Sequence, residues 1–286
     1  MVLRIDATIA GLVLLSALIH ASWNAIVKSD ADRLLSIGVV MLVGAVMGLA
    51  AIPFTKPPDP AAWPWLVASV VIHNFYYFFL LRAYAHGDLS HVYPIARGIA
   101  PLLVALIAGR FAGELLVARE AIGLLLVSSG IVGLAFARGM PRTGEWRPLG
   151  YAVLTGFTIA GYSVVDGIGA RNSGDAIGYI AWLNLLEGPW VFAIAVWRRR
   201  GATIPYMRQY WWRGVTGGTI ATVGYGIAIW ALSQGSMAHV TALRETSALF
   251  GALIGAYILK EAFGIRRVIA AAVMVAGLLL MNLRFG

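Results

Sequence analysis

Long apolar runs are the feature that most constrains this chain, because they recur from one end of its 286 residues to the other. A helix needs about 20 predominantly apolar residues to cross the hydrocarbon core of a bilayer. Hydrophobic residues make up 60% of the sequence and charged residues 12%, whereas typical soluble domains have about 45–50% and about 25%. We therefore expect an all-α, multi-pass membrane protein.

Glycine, proline and charged residues interrupt the apolar runs and place the joints between the predicted helices. Ten transmembrane helices are predicted, at 6–28, 34–54, 63–85, 91–111, 119–137, 148–169, 176–197, 210–233, 239–259 and 267–284. Five lie in a first unit, 1–140, and five in a second unit, 141–286. Because five is odd, the second unit enters the membrane in the opposite sense, which is an inverted-topology repeat.

A duplicated motif supports the two-unit interpretation. Residues 83–92 read AYAHGDLSHV and residues 231–240 read ALSQGSMAHV, so Ala, Gly, His and Val recur 148 residues apart. Tyr77 and Tyr225 have the same separation. Inverted repeats are typical of secondary transporters, in which the substrate site lies near the membrane midplane between the two halves. We therefore expect the two five-helix units to form one structural unit around a central cavity.

The charge distribution predicts an orientation in the membrane and argues against a nucleic-acid partner. The formal net charge is +9 at pH 7, but the basic residues lie mainly in short connections between apolar runs, as in membrane proteins that use them to fix orientation. No nucleic-acid partner is expected. The connections after odd-numbered helices carry more Lys and Arg than the opposite connections, which predicts both termini outside the cytoplasm.

The sequence carries no motif for a catalytic, metal or nucleotide site. It lacks cysteine, so it has no thiolate nucleophile and no zinc–thiolate ligand. It contains no G-x-x-x-x-G-K-[ST] loop, no H-E-x-x-H helix and no G-x-S-x-G elbow. We therefore predict that the protein is not an enzyme and needs neither a metal nor a cofactor.

Charged residues inside the predicted helices are the first candidates for a substrate site. Each adds about 2.5–3.5 kcal/mol to the free energy of membrane insertion when it lies at a helix centre, so its presence there indicates a function. Arg97 in the fourth helix and Glu245 in the ninth hold equivalent positions of the two units, and Arg244 precedes Glu245. We expect Arg97 and Glu245 to meet and to neutralise each other or a substrate. The alternative is an ion pair that only holds two helices together. Glu187 is a third candidate, for carrying a coupling proton, for a bond to a neighbouring helix or for a place in a water-filled crevice.

Polar and aromatic residues near the middle of the predicted helices indicate the wall of a cavity, because interfacial anchoring explains only those near the helix ends. Aromatic groups with a few amides and an arginine suit a small zwitterion with an apolar side chain. The alternative is ordinary packing with satisfied hydroxyls. The predicted substrate-binding residues are Trp23, Asn24, His73, Tyr77, Tyr93, Arg97, Tyr162, Tyr225, Trp230, Arg244 and Glu245.

Pairs of glycines four residues apart predict close helix packing, because they put two small residues on one helix face. The pairs are Gly44 with Gly48, Gly109 with Gly113, and Gly251 with Gly255. The second and third pairs, at the ends of the fourth and ninth helices, are the better candidates for seams along which helices slide.

Short steps at the ends of the fourth and ninth helices carry a family resemblance. These steps are Gly113-Glu114-Leu115 and Lys260-Glu261-Ala262, and the fifth and tenth helices are rich in glycine. Together with the duplicated G-x-x-x-H-V turn, they resemble the ten-helix EamA family of the drug/metabolite transporter superfamily. Residues 94–101 and 243–247 are similar to those of the YddG-type amino-acid exporters. Lys260 departs from the family, which prefers glycine there.

The resemblance implies a basket of ten helices around a cavity lined by the first, third, fourth, sixth, eighth and ninth helices. It also implies export of neutral and aromatic amino acids by alternating access. The expected partners are these small molecules and the lipid bilayer, with a monomer sufficient, and the expected location is the bacterial inner membrane. The alternatives are a carrier of a drug, a sugar phosphate or a nucleotide sugar and, less favoured, a membrane-embedded enzyme acting on lipid.

Overall fold

A computed structural model describes residues 5–28, 30, 32–86, 89–136, 146–257 and 264–282. Eleven α-helices lie in these residues: α1 Ala7–Lys28, α2 Arg33–Ala51, α3 Trp63–His86, α4 Leu89–Phe111, α5 Ala118–Phe136, α6 Trp146–Arg171, α7 Ala176–Arg199, α8 Thr203–Gln234, α9 Met237–Arg244, α10 Ser247–Tyr257 and α11 Ile265–Asn282. Three short 3-10 helices join some of them, and no strand occurs in the described part. The predicted all-α class is confirmed.

Eight stretches of the described helices are long and apolar enough to cross a membrane. One of them, Ala176–Gln234, contains both α7 and α8. Large apolar side chains such as Leu106 and Trp197 are mostly exposed on the outside of the bundle. Water would disfavour such a surface, whereas lipid tails match it. The chain is an integral, multi-pass membrane protein, as predicted.

The predicted ninth crossing, 239–259, is not one continuous helix. Glu245 and Thr246 separate α9 from α10, and the Thr246 hydroxyl donates a hydrogen bond of 2.7 Å to the carbonyl oxygen of Leu243. Both separating residues are buried, which is where irregular backbone is tolerated at membrane depth. Neither glycine nor proline marks the break, so the sequence did not reveal it.

The most extensive helix contacts lie between α5 and α11 and between α2 and α7. A Cβ atom added at Gly123 of α5 would lie 2.7 Å from the carbonyl oxygen of Gly277 in α11, and one added at Gly277 would lie 2.6 Å from that of Gly123. The two backbones therefore touch where only glycine fits. Further contacts join α3 to α6, α1 to α8 and α4 to both α5 and α6.

The three predicted glycine pairs differ in how closely other helices approach them. A Cβ atom at Gly48 would collide with the backbone of Ala181 in α7, so the first pair does lie in a packing seam. In the other two pairs, a Cβ atom at Gly113 or at Gly251 would meet nothing within 4 Å, so neither of these two glycines lies in a packing seam. Gly113 instead ends α4 with a φ of +67°, a backbone conformation that favours glycine.

Some sequence predictions fall where the structure gives no description. The boundary between the two predicted units, at residues 140 and 141, lies outside the described residues. Lys260 and Glu261 of the second family-like step also lie outside them, as do the surroundings of Gly255. These predictions therefore stay predictions.

An apolar core fills one end of the bundle, which we call the closed end. It lies where α1, α5 and α9 begin and where α4, α6 and α8 end. Val13 of α1, Val104 of α4, Val127 of α5, Val240 of α9 and Met274 of α11 are fully buried there in one cluster. Buried residues of α6 and α8 belong to the same cluster, so seven helices meet at this end around a continuous apolar contact.

Candidate functional site

A cavity of about 320 Å³ lies between the helices, and its lining extends from the middle of the bundle to the end opposite the closed end. At its mouth it is lined by Val27 of α1, Arg33 of α2, Leu81 of α3 and Tyr93 of α4. Deeper, residues of α6, α7, α8 and α9 line it. This volume lies in the range of small-molecule sites. The lining includes α2 and α7, which the resemblance did not include.

The structure places most of the predicted site residues on the cavity wall, namely Trp23, Asn24, His73, Tyr77, Tyr93, Tyr162, Tyr225 and Arg244. Arg97 and Glu245 are not among the lining residues. Trp230 is not either, because it packs against two apolar clusters. Trp230 lies five positions after Tyr225. In a helix with 3.6 residues per turn, the two side chains therefore point about 140° apart around the helix axis. The prediction that Trp230 lines the wall is therefore wrong.

Arg97 and Glu245 form a buried ion pair, with Arg97 Nε 2.8 Å from Glu245 Oε2. Arg97 is 3% exposed and Glu245 1%. A second nitrogen of Arg97, Nη2, donates a hydrogen bond of 3.2 Å to the Ser247 hydroxyl. The expected contact between the two residues is present, and it ties α4 to the break between α9 and α10. Removing one partner of such a pair costs about 3–5 kcal/mol.

Arg244 lines the cavity without a carboxylate partner. Its guanidinium carbon lies 4.9 Å from the centroid of the Tyr225 ring, and the residue is 6% exposed. Its Nε has no hydrogen-bond partner, and none of the ion pairs found among the described residues includes it. A guanidinium offers five donors in a planar fork that matches a carboxylate. The cavity therefore contains a cationic group that the described protein leaves open to a ligand.

Four rings in mutual contact, those of His73, Tyr76, Tyr162 and Tyr225, form what we call the aromatic cluster. The His73 ring stacks on that of Tyr162, with centroids 4.1 Å apart. Tyr76 and Tyr225 meet Tyr162 edge to face, at 5.6 Å and 5.9 Å. All four residues line the cavity. Packed rings give a rigid apolar surface with polar edges, which suits an aromatic or aliphatic side chain.

Asp166 supports the aromatic cluster from behind the wall. Its carboxylate is fully buried and accepts hydrogen bonds from the hydroxyls of Tyr225, at 2.5 Å, and Tyr179, at 3.0 Å. Tyr225 lines the cavity, whereas Asp166 and Tyr179 do not. The two bonds fix the Tyr225 ring over which Arg244 lies.

Glu187 lines the cavity, although the sequence interpretation left it out of the binding set. It is 6% exposed, and its Oε1 accepts a hydrogen bond of 3.0 Å from the Tyr77 hydroxyl. Other lining residues that were missed are His20, Tyr76, Asn184 and Thr222. Helix spacing could have found several of them, because Asn184 lies one turn before Glu187 and Thr222 one turn before Tyr225.

A clamp of two charged residues, Glu114 and Arg171, crosses the closed end. Glu114 Oε1 lies 2.7 Å from Arg171 Nη2, and Oε2 accepts a hydrogen bond of 2.7 Å from the backbone nitrogen of Met237. Arg171 also donates to the carbonyl oxygens of Leu232 and Gly235, at 2.9 Å and 2.6 Å. The clamp therefore joins the end of α4 to the ends of α6 and α8 and to the start of α9. Glu114 belongs to the family-like step Gly113-Glu114-Leu115.

The sequence of the second half of the chain matches the model of a known family. The model of the EamA-like transporter family matches residues 146–283, from the start of α6 to the end of α11. These residues, just under half of the chain, are similar to the EamA-like transporter family. The similarity indicates a membrane transporter of small solutes. No curated protein sequence matches the chain.

Solved structures share the fold of this chain. One of them, described as "Crystal structure of protein", is 19% identical in sequence and superposes with a TM-score of 0.79. The match covers 96% of this chain and 98% of that chain. In all, 28 chains of solved structures match. At this identity the likeness shows the fold alone.

Proposed function

We propose that this protein is an EamA-like transporter that exports neutral and aromatic amino acids by alternating access through the central cavity. The observation that carries the proposal is Arg244, a buried guanidinium without a carboxylate partner on a cavity wall of aromatic rings. Its fork binds a carboxylate in two parallel hydrogen bonds. The aromatic cluster beside it offers a surface for an apolar side chain.

Other solutes of the same size fit the wall less well. A sugar phosphate or nucleotide sugar carries more negative charge than Arg244 alone balances in the deep part of the cavity. The other arginines on the wall, Arg33 and Arg267, start α2 and α11 and belong to the mouth. An amphipathic cation would use Glu187 and leave Arg244 uncompensated. A single amino acid satisfies the site better than either.

Helix packing supports two inverted units, with α9 and α10 counted as one interrupted crossing. Gly123 touches Gly277, and Gly130 touches Ala270. After the duplicated motif the offset between the halves is 147 residues rather than 148, as Glu114 with Glu261 and Gly130 with Gly277 show. Exchanging the halves with this offset turns the first contact into the second. As the residue number rises along α5 it falls along α11, so these helices run antiparallel. Equivalent helices that pack antiparallel are expected for repeats of opposite topology.

The two ends of the bundle support alternating access. The cavity reaches one end, whereas the apolar core and the clamp fill the other. The positive-inside count puts the open end in the cytoplasm, so an amino acid enters from there and leaves after the closed end parts. The cavity is enclosed by one chain, which makes a monomer sufficient. The proposed location of the protein is the bacterial inner membrane.

The test is counterflow of radiolabelled tryptophan into liposomes that contain the purified protein and unlabelled tryptophan. Arg244→Gln removes a charge-assisted contact worth about 1.5–3 kcal/mol, so uptake at low substrate should fall by about ten- to a hundredfold. Arg244→Lys keeps the charge without the planar fork, and we expect an intermediate rate.

The matched control is Arg208→Gln, which removes an exposed arginine that does not line the cavity. It should keep the wild-type rate. Absence of counterflow with wild-type protein for any amino acid would contradict the proposed function. Equal rates for Arg244→Gln and Arg208→Gln would contradict the role of Arg244.

A further inference from the structure

The cavity wall holds a second charge that the protein leaves unpaired. Glu187 accepts one hydrogen bond, from the neutral hydroxyl of Tyr77. None of the ion pairs found in the described part of the chain includes it. A carboxylate at this depth is costly unless a cation or a proton compensates it. The structure therefore leaves one buried anion and one buried cation, Arg244, facing the same cavity.

The other buried charges near the cavity have partners. Arg97 and Glu245 pair with each other. Asp166 receives two tyrosine hydroxyls and does not face the cavity. The groups left for a ligand are therefore of opposite sign, and they do not pair with each other. This pattern is the complement of a solute that carries both charges.

We propose that Glu187 binds the ammonium group of the substrate and Arg244 its carboxylate, so that the site selects free α-amino acids over singly charged analogues. The inference rests on the proposed function and names the substrate class of the same site. A zwitterion compensates both buried charges. A ligand with one charge leaves the other group buried and unpaired, which is strongly unfavourable. Selection therefore arises from the penalty on the wrong ligand as well as from contacts with the right one.

Tyr77 is a positioning residue for this site. Its hydroxyl holds Oε1 of Glu187 at 3.0 Å and also lies 3.0 Å from the sulfur of Met41. Its ring packs edge to face on Tyr76, with centroids 5.0 Å apart. One carboxylate oxygen is therefore fixed, and the other is left for an ammonium group. The aromatic cluster, which includes Tyr76, supplies the adjoining apolar surface.

The experiment compares three unlabelled competitors in the tryptophan counterflow assay. Tryptamine lacks the carboxylate and indole-3-propionate lacks the ammonium group, while both keep the indole ring of tryptophan. In the wild type, each analogue should compete at least about tenfold more weakly than tryptophan, as expected for one lost charge-assisted contact. Glu187→Gln should lose the preference over indole-3-propionate and keep the preference over tryptamine. Arg244→Gln should do the reverse.

Glu120→Gln is the matched control, because it neutralises a buried carboxylate that does not face the cavity. It should keep both preferences. Tyr77→Phe keeps the charge of Glu187 and removes its positioning bond, so the preference over indole-3-propionate should fall only partly. If Glu187→Gln does not fold, Glu187→Asp replaces it and should weaken tryptophan and tryptamine but not indole-3-propionate, so that preference should fall.

The possible outcomes separate the two proposals. Tryptamine competing as well as tryptophan in the wild type would overturn the inference, as would an unchanged preference in Glu187→Gln. An equal loss for all three ligands in Glu187→Asp would overturn it too. Each of these results leaves tryptophan counterflow intact, and with it the proposed function. Only the absence of wild-type counterflow would count against the function itself.

Discussion

At the scale of single residues, two tyrosines that share one carboxylate have different expected roles. Tyr225 and Tyr179 both donate to Asp166, but only Tyr225 lines the cavity and lies against Arg244. Tyr225→Phe and Tyr179→Phe should each lower the melting temperature in detergent, since each removes a bond to a buried carboxylate worth about 1.5–3 kcal/mol. Only Tyr225→Phe should also weaken tryptophan binding, measured by calorimetry. Equal binding by the two variants would show that Asp166 serves stability alone.

Most of the site residues predicted from the sequence lie on the cavity wall, because polar residues in a membrane helix need a reason to be there. That argument found Arg244, His73 and Tyr225. It failed for Trp230, since it judged depth in the membrane and ignored the angle around the helix. It undervalued Glu187, because the sequence cannot show whether a buried carboxylate has a cationic partner. Partner identity depends on contacts between helices distant in the chain.

At the scale of helices and their ends, the clamp gives a prediction about opening. The ion pair of Glu114 with Arg171 joins four helices across the closed end. Glu114→Gln removes it, and breaking a buried pair costs about 3–5 kcal/mol. The closed end should therefore open more often. The natural chain lacks cysteine, so a single Val13→Cys in the apolar core can report this opening through its rate of maleimide labelling.

We expect labelling of Val13→Cys to be at least about fivefold faster with Glu114→Gln than without it, a change well within the cost of a broken buried pair. Asp32→Asn is the control, because it removes a half-exposed ion pair with Arg199 near the other end of the bundle. Unchanged labelling in Glu114→Gln would mean that the apolar core alone keeps this end shut.

Helix limits were largely predictable, whereas helix continuity was not. The predicted ranges for α1 to α8 lie within a few residues of the observed helices, apart from the first turns of α8. Those turns lie before Tyr210, where the backbone leaves helical geometry. The break after Arg244 has no glycine or proline to mark it. Two side-chain contacts lie at the break instead, the hydrogen bond from Thr246 and the ion pair of Glu245.

At the scale of the whole molecule, the contact between α5 and α11 joins the two halves and gives the last prediction. Gly123 and Gly277 touch through their backbones, so a side chain at Gly123 must push the halves apart. Gly123→Leu should abolish the monodisperse peak in size-exclusion chromatography, since overpacking costs about 1–3 kcal/mol even where some repacking is possible. Gly130→Leu should have the same effect, because it is the counterpart contact under exchange of the halves.

Gly11→Leu is the matched control. A Cβ atom there would meet nothing within 4 Å, so the added side chain extends from the bundle surface without a clash. This variant should fold like the wild type, which separates the effect of the contact from that of adding leucine to a membrane helix. If Gly123→Leu folds like Gly11→Leu, the halves are not held by this contact. If Gly123→Leu fails while Gly130→Leu folds, the two contacts are not equivalent, and the twofold relation between the halves is lost.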